Sequence, residues 1–172
     1  MIEKCKRVLS SLLFLILLLL TGVCSGPQML TSPDDESSEQ AVARQTMANY
    51  FRALHDGAYA LAVDLYGGSY EVMIDHNPGL DPADLPALFE AACTVNGAVC
   101  LETASIQPLA VKESVTGEYA FKITFQNQDG SLFVLGPCCG APEGETHSEF
   151  TFHVRKTSEN HFQVMDLPVY QP

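Results

Sequence analysis

Asp75 and His76 are neighbours in the stretch YEVMIDHNPG, and their side chains are the best suited to acid–base chemistry in this sequence. A carboxylate can orient an imidazole as a general base, and a tyrosine hydroxyl can polarise a carbonyl group. Tyr50 and Tyr66 lie on segments that should be helical, so we take all four residues as candidates for a ligand pocket. Neighbouring side chains rarely point to one place, however, and DHNPG is typical of a turn. We therefore predict no catalytic residue.

The later part of the chain must supply the sheet that such a pocket needs. Apolar and polar side chains alternate in residues 118–126, and the same period of two recurs in residues 149–156. His153 falls on the wetter face, where a surface or interface histidine is the usual case. The positions expected to face inward carry no acid or base: they are Tyr119, Phe121, Ile123, Phe125, Phe150, Phe152 and Val154.

Further strands flank this pair. A strand between about Cys100 and Ser114 contains Pro108, which predicts an edge position or a bulge. Asp129 and Gly130 predict a tight hairpin turn into SLFVLG. The last strand is expected over residues 162–167, after a short polar turn.

Three helices are expected before the strands. The first covers residues 37–55, with serine caps at its start and Gly57 as a left-handed stop after it. The second, residues 59–66, ends at a glycine pair, and the third, about residues 81–95, opens on Asp-Pro. The predicted apolar faces are Val42, Met47, Tyr50, Phe51 and Leu54; Tyr59, Ala62, Val63 and Tyr66; and Leu85, Leu88, Phe89, Ala92 and Cys93.

Helices followed by a meander of antiparallel strands predict an α+β fold, in which the helices cover one face of a curved sheet. The string YFRALHDGAYALAVDLYGG, followed by a third helix and long hairpins, resembles the nuclear-transport-factor-2-like (NTF2-like) superfamily. GSLFVLGPCCG and QVMDLPVYQP are similar to segments of secreted bacterial members of that superfamily. The resemblance implies a cone of three N-terminal helices on a curved antiparallel sheet over residues 41–172. It brings no catalytic residue to this chain.

The N-terminus is typical of a secretory signal, because three basic residues precede the apolar run Val8 to Leu20 and small residues follow it. That run is shorter than the roughly 20 residues that a spanning helix needs. LLTGVCSG resembles a bacterial lipoprotein signal, in which Cys24 becomes the lipidated first residue of the mature chain. Thr21 and Val23 depart from that pattern, so plain secretion and a retained anchor stay open as alternatives. We expect a signal at residues 1–23.

Charge and composition set the rest of the organisation. The formal net charge is −12, and loss of the basic signal makes the mature chain more acidic still. Such a field repels phosphate groups, so we expect no nucleic-acid partner, and contact with the membrane only through the lipid anchor. Residues 24–40 are poor in apolar side chains and rich in acids, which predicts a flexible acidic tether before one domain, residues 41–172.

Four cysteines remain beyond the signal and Cys24: Cys93, Cys100, Cys138 and Cys139. An even count outside the cytoplasm predicts two disulfides with three possible connectivities. A bond between the neighbours Cys138 and Cys139 would be strained, so we favour bridges from Cys93 and Cys100 to the PCCG loop, which close long loops.

Two other interpretations of the PCCG loop stay open. A bond between the adjacent cysteines could act as a redox switch. A metal site could combine Cys138 and Cys139 with His147 and His153, although a Cys-Cys dipeptide suits tetrahedral zinc poorly. We predict no metal and no cofactor.

Three functions follow from these patterns. The first is a non-catalytic extracytoplasmic domain that binds a small apolar ligand or a partner protein. The second is implied by the resemblance, because related folds include small isomerases, dehydratases and hydrolases with a general base in the cone cavity. The third is a structural envelope module. A homodimer is expected to use the wetter sheet face, which carries Lys122, Thr124, Thr151, His153 and Arg155.

Overall fold

The computed structural model describes residues 37–109, 117–137, 146–158 and 161–171. Helices come first in these ranges: α1 Ser38–His55, α2 Tyr59–Leu65, α3 Glu71–His76 and α4 Leu85–Thr94. Strands follow: β1 Glu102–Pro108, β2 Glu118–Gln126, β3 Phe150–Ser158 and β4 His161–Val164. The α+β class predicted from the sequence is confirmed.

Helix α1 begins and ends where its sequence predicts. Ser37 is the N-cap, and its Oγ accepts a hydrogen bond from the backbone N–H of Gln40 at 3.1 Å. The chain leaves the helix at Asp56, and Gly57 then takes a φ of 71°, a left-handed conformation that suits glycine.

A short helix, α3, lies in the segment YEVMIDHNPG, where the sequence predicted no helix, and only its last two residues belong to DHNPG, the predicted turn. It is anchored by Met73, which is its buried residue, and Asn77 Nδ2 closes it by donating to Met73 O at 2.7 Å. With six residues and one buried position, α3 gives too little periodicity to be recognised from the sequence. The prediction of three helices is therefore wrong, because four are found in the described ranges.

The strands form one antiparallel sheet in the order β1-β2-β3-β4, curled into half a barrel. β1 lies at its edge, with an irregular register between Thr103 and Ser105, and ends at Pro108. The edge position predicted from Pro108 is confirmed, whereas the irregular register lies between Thr103 and Ser105 and not at Pro108. SLFVLG, predicted as a strand, forms only isolated bridges, Gln126 with Leu132 and Leu135 with His147.

Aromatic rings fill the space between α1 and the sheet. Phe51 packs edge-to-face against Phe125 and Phe152, with ring centroids 5.0 and 4.9 Å apart. All three side chains are buried. Such pairs contribute about 0.5 to 1.5 kcal/mol each beyond the burial of their area. The inward face predicted for β2 and β3 is therefore confirmed at its centre.

One member of the predicted apolar face of α1 is wrong. Val42 is 47% exposed, whereas Met47, Tyr50, Phe51 and Leu54 are buried as expected. Successive helical residues are rotated by about 100°, and Ala43, the next residue, occupies the buried stripe instead.

Polar contacts tie the start of α1 to the sheet. Glu39 accepts hydrogen bonds from Lys156 Nζ at 2.6 Å and from the Tyr119 hydroxyl at 2.7 Å. These two bonds hold the pKa of the Glu39 carboxyl below its usual value. The two bonds join Glu39 to residues 117 and 80 positions later in the chain, so they connect the start of α1 to β3 and β2.

The last residues of the chain also pair with earlier segments. Val99 N–H donates to Val169 O at 2.7 Å, and Gln171 N–H donates to Gly97 O at 2.8 Å.

None of the helices within the described ranges has both the length and the apolar character needed to cross a bilayer.

Cys93 forms a disulfide with Cys100, and their Cα atoms are 5.6 Å apart. α4 ends just after Cys93, and Gly97, at a φ of 79°, turns the chain back so that Cys100 comes beside it. The favoured bridges from these two cysteines to the PCCG loop are therefore wrong. Cys138 and Cys139 lie outside the described residues.

We predict that the double substitution Cys93→Ser and Cys100→Ser lowers the unfolding free energy by about 2 to 3 kcal/mol, because the bond closes a short loop in the unfolded chain. Urea denaturation measures this change. Reductant should bring the wild-type protein to a similar value and leave the variant almost unaffected. Equal values for oxidised wild type and variant would contradict the prediction.

The pairing of Cys93 with Cys100 can be checked independently by peptide mapping. Trypsin cuts after Lys and Arg, so Cys93 and Cys100 lie in one peptide, residues 53–112, and Cys138 and Cys139 lie in another, residues 123–155. Without reduction, the first peptide should appear alone and two hydrogen atoms lighter than its sequence. A joined pair of peptides would show a different pairing.

Candidate ligand-binding groove

An open groove of about 570 Å³ lies where the start of β3 faces the C-terminal segment 166–169. Five of its nine lining residues are apolar and four are polar or charged. The lining residues are Leu135, His147, Glu149, Phe150, Thr151, Phe152, Asp166, Leu167 and Val169. The volume lies within the range of about 300 to 1,000 Å³ that is usual for ligand pockets.

The groove exists because β4 pairs with β3 only as far as Val154, whereas β3 itself starts four residues earlier, at Phe150. Met165 N–H still donates to His153 O at 2.9 Å, but Asp166 then uses its side chain instead of its backbone. Asp166 Oδ2 accepts from His153 N–H at 2.6 Å. Beyond this contact the chain diverges from β3, and the gap between the two segments is the groove.

Asp166 also orients the His153 ring. Asp166 Oδ2 lies 3.0 Å from His153 Nδ1, and about two fifths of each side chain is exposed. With Nδ1 as the donor, His153 Nε2 is left free to accept a proton. A carboxylate that orients a histidine is the arrangement required of a general base, although at this exposure water competes for the site.

The pair was only half expected from the sequence. His153 was placed correctly on the wetter face, but Asp166 was missed. It lies in QVMDLPVYQP, a string used only for the family resemblance, and no local pattern relates it to a residue thirteen positions earlier.

Charged groups elsewhere on this outer face are also paired across strands. Lys122 Nζ lies 2.9 Å from Glu149 Oε2, and Arg155 Nη2 lies 3.6 Å from Glu118 Oε2. Thr124 and Ser105 share a hydrogen bond of 2.8 Å between their hydroxyls. The face is thus polar, and its opposite charges are arranged to compensate each other.

Tyrosines and a phenylalanine fill the helical side of the core. Tyr50 and Tyr66 stack with centroids 6.0 Å apart, and Phe89 contacts both rings and Tyr70 edge-on. Burial raises the pKa of the Tyr50 hydroxyl well above its usual value, and the nearby Tyr66 hydroxyl raises it further. Both predicted tyrosines are therefore buried, neutral core residues at ordinary pH.

The two hydroxyls differ in their partners. Tyr66 donates to Ser69 O at 2.9 Å. The Tyr50 hydroxyl is buried and has no hydrogen-bond partner in the described part of the chain. An unpaired buried hydroxyl costs free energy, so Tyr50 opposes stability through this atom while its ring favours it.

The structure does not bring the four candidate pocket residues together. Tyr50 and Tyr66 lie in the core, whereas Asp75 and His76 are exposed on α3. The His76 ring contacts Tyr170 edge-on at 5.7 Å. The residues of the groove, in particular Phe150, Phe152 and Asp166, were not proposed as ligand contacts from the sequence.

Other candidate sites give little chemistry. Two polar depressions beside His55 have volumes of about 480 and 280 Å³ and share Glu102 in their walls. Across the described ranges, no three His, Cys, Asp or Glu side chains are grouped as a metal site would require. Cys24, the expected lipidation site, lies outside the described residues.

Comparison of the chain with protein-family models finds no matching family, and comparison with curated proteins finds no matching sequence. The NTF2-like resemblance therefore stays a prediction from the residues quoted for it.

We predict opposite effects for the same chemical change at the two stacked tyrosines. Tyr50→Phe should raise the unfolding free energy by about 1 kcal/mol, because it removes an unpaired buried hydroxyl. Tyr66→Phe should lower it by about 1 kcal/mol, because it removes the hydrogen bond to Ser69 O. Urea denaturation of both variants measures the difference. Equal losses of stability in both would show that the Tyr50 hydroxyl has a partner.

Proposed function

We propose that this protein is a non-catalytic, extracytoplasmic binding domain of the NTF2-like type, held at the membrane by a lipid on Cys24. It binds a small apolar ligand or a partner protein in the groove between β3 and the C-terminal segment. The groove is the observation that carries this proposal, because five apolar and four polar or charged residues line one open site.

The packing of the core supports binding at the groove over binding inside the cone. Phe51, Phe89 and Tyr50 are fully buried, and their rings occupy the space where a ligand would otherwise lie between helices and sheet. The curled antiparallel sheet with helices on one face is compatible with an NTF2-like cone.

A small isomerase, dehydratase or hydrolase is the second candidate. The observation in its favour is the His153 and Asp166 pair, because Asp166 also lines the groove. A substrate held there would lie beside an oriented imidazole. Against this, both side chains are about two fifths exposed, so the site does not exclude water.

The groove can be tested with Nile red, a neutral apolar dye that the acidic surface does not repel. Leu167→Asp places a charge on the apolar wall and should weaken dye binding about tenfold. Leu61→Asp is the matched control, because Leu61 is half exposed on α2 and does not line the groove. Dye fluorescence gives the affinity, and circular dichroism checks that both variants fold. Equal binding by Leu167→Asp and wild type would refute a ligand site at the groove.

The membrane anchor is tested separately. In bacteria that lipidate secreted proteins, Cys24→Ala should move the protein from the membrane fraction to the soluble fraction, because the acyl chains provide the attachment. Cys139→Ala serves as a control cysteine outside the signal. An unmodified protein that is already soluble in the medium would show that the anchor is wrong.

A further inference from the structure

We propose that the edge of β3 at Thr151 receives an extended, basic peptide segment as an additional strand. This inference rests on the proposed binding function of the groove and specifies the partner. The juxtaposition that carries it is an unpaired strand edge beside an apolar groove in an acidic protein.

The backbone directions along β3 identify the open edge. His153 N–H and C=O both point toward the β4 side, since they bond to Asp166 Oδ2 and Met165 N–H. Backbone groups alternate in direction along a strand, so Thr151 N–H and C=O point to the same side. β4 pairs with β3 only from Val154 onward, and no partner among the described residues reaches these two groups of Thr151.

Within the described ranges, this edge lacks the usual protection against a further strand. Natural sheets guard exposed edges with proline, lysine, bulges or a covering segment. Residues 149–152 contain neither Pro nor Lys, and the register of β2 with β3 is regular there. The groove separates segment 166–169 from this edge of β3. An incoming chain would pair with Thr151 between these two walls.

The walls favour a peptide with alternating side chains. Side chains of an added strand point alternately to the two faces of the sheet. On the inner face they meet Phe150 and Phe152, and Leu167 lines the opposite side of the groove. On the outer face they meet the polar residues around Thr151. Peptide recognition by strand addition uses this combination of backbone bonds and alternate pockets.

The negative charge of the protein favours a basic peptide at this edge. The chain has a formal net charge of −12, and two carboxylates line the groove itself: Glu149, which pairs with Lys122, and Asp166, which contacts His153. A second copy of this chain would bring the same negative charge to the contact, whereas Lys and Arg side chains would be attracted. A basic extended segment therefore fits this edge better than a symmetric pairing of two copies.

The test uses a short acetylated peptide of alternating Lys and Val, titrated into the full mature protein by calorimetry. Thr151→Pro removes the N–H that faces the groove while leaving the β2 pairing of Phe150 and Phe152 in place. Binding should weaken about tenfold. Thr151→Val keeps the N–H and is the matched control, so its affinity should stay within about twofold of wild type.

Two peptide controls keep the test decisive if Thr151→Pro does not fold. The same peptide with N-methyl groups on alternate amides cannot pair with the edge and should lose binding. A Glu-Val peptide of the same length should bind at least about tenfold more weakly because of the acidic surface. Equal binding of the N-methylated peptide would overturn strand addition, and equal binding of the Glu-Val peptide would overturn the basic partner. Dimerisation of the protein through this edge, seen by sedimentation, would overturn the inference as well.

Nile red separates this inference from the function on which it rests. If the dye binds in the groove and the Lys-Val peptide does not bind at all, strand addition is wrong and the binding function stands. If neither binds, both are wrong.

Discussion

The packing of Phe51 between Phe125 and Phe152 is the contact on which the rest of the fold depends. It joins the C-terminal part of α1 to the two central strands, and each ring is buried. Aromatic side chains bury large areas and dominate the energetics of small cores. Once these rings meet, the orientation of α1 on the sheet is set, and Glu39 at its start lies within reach of Lys156 and Tyr119.

The filled core moves any binding site to the periphery of the sheet. Tyr50, Tyr66 and Phe89 occupy the helical side of the interior, whereas the groove of about 570 Å³ lies where two segments separate. That separation has a specific cause, because Asp166 caps the backbone of His153 with its side chain and ends the pairing of the C-terminal segment. One carboxylate therefore orients a histidine, terminates a ladder and opens a groove.

The acidic composition acts together with this geometry. A net charge of −12 has no bearing on which strands pair, but it determines which partners approach an open strand edge. The ion pairs on the outer face, such as Lys122 with Glu149, compensate charges locally and leave the long-range field negative. Under the proposal of strand addition, the open edge of β3 favours an extended chain and the negative field favours positive side chains.

Local patterns in the sequence determined the ends of α1, the left-handed Gly57 and the alternation of β2 and β3, because each depends on residues within one or two turns or one strand. The α+β class followed from the order of these elements.

Only the tertiary structure decided that Cys93 pairs with Cys100, that Asp166 meets His153, and that Asp75 and His76 lie apart from the buried tyrosines. Helix α3 was missed for a related reason, since six residues with one buried side chain are held by packing and not by a periodic pattern. The groove could not be read from the sequence because its walls, at residues 135, 147–152 and 166–169, meet only when the sheet has curled and the last strand has diverged.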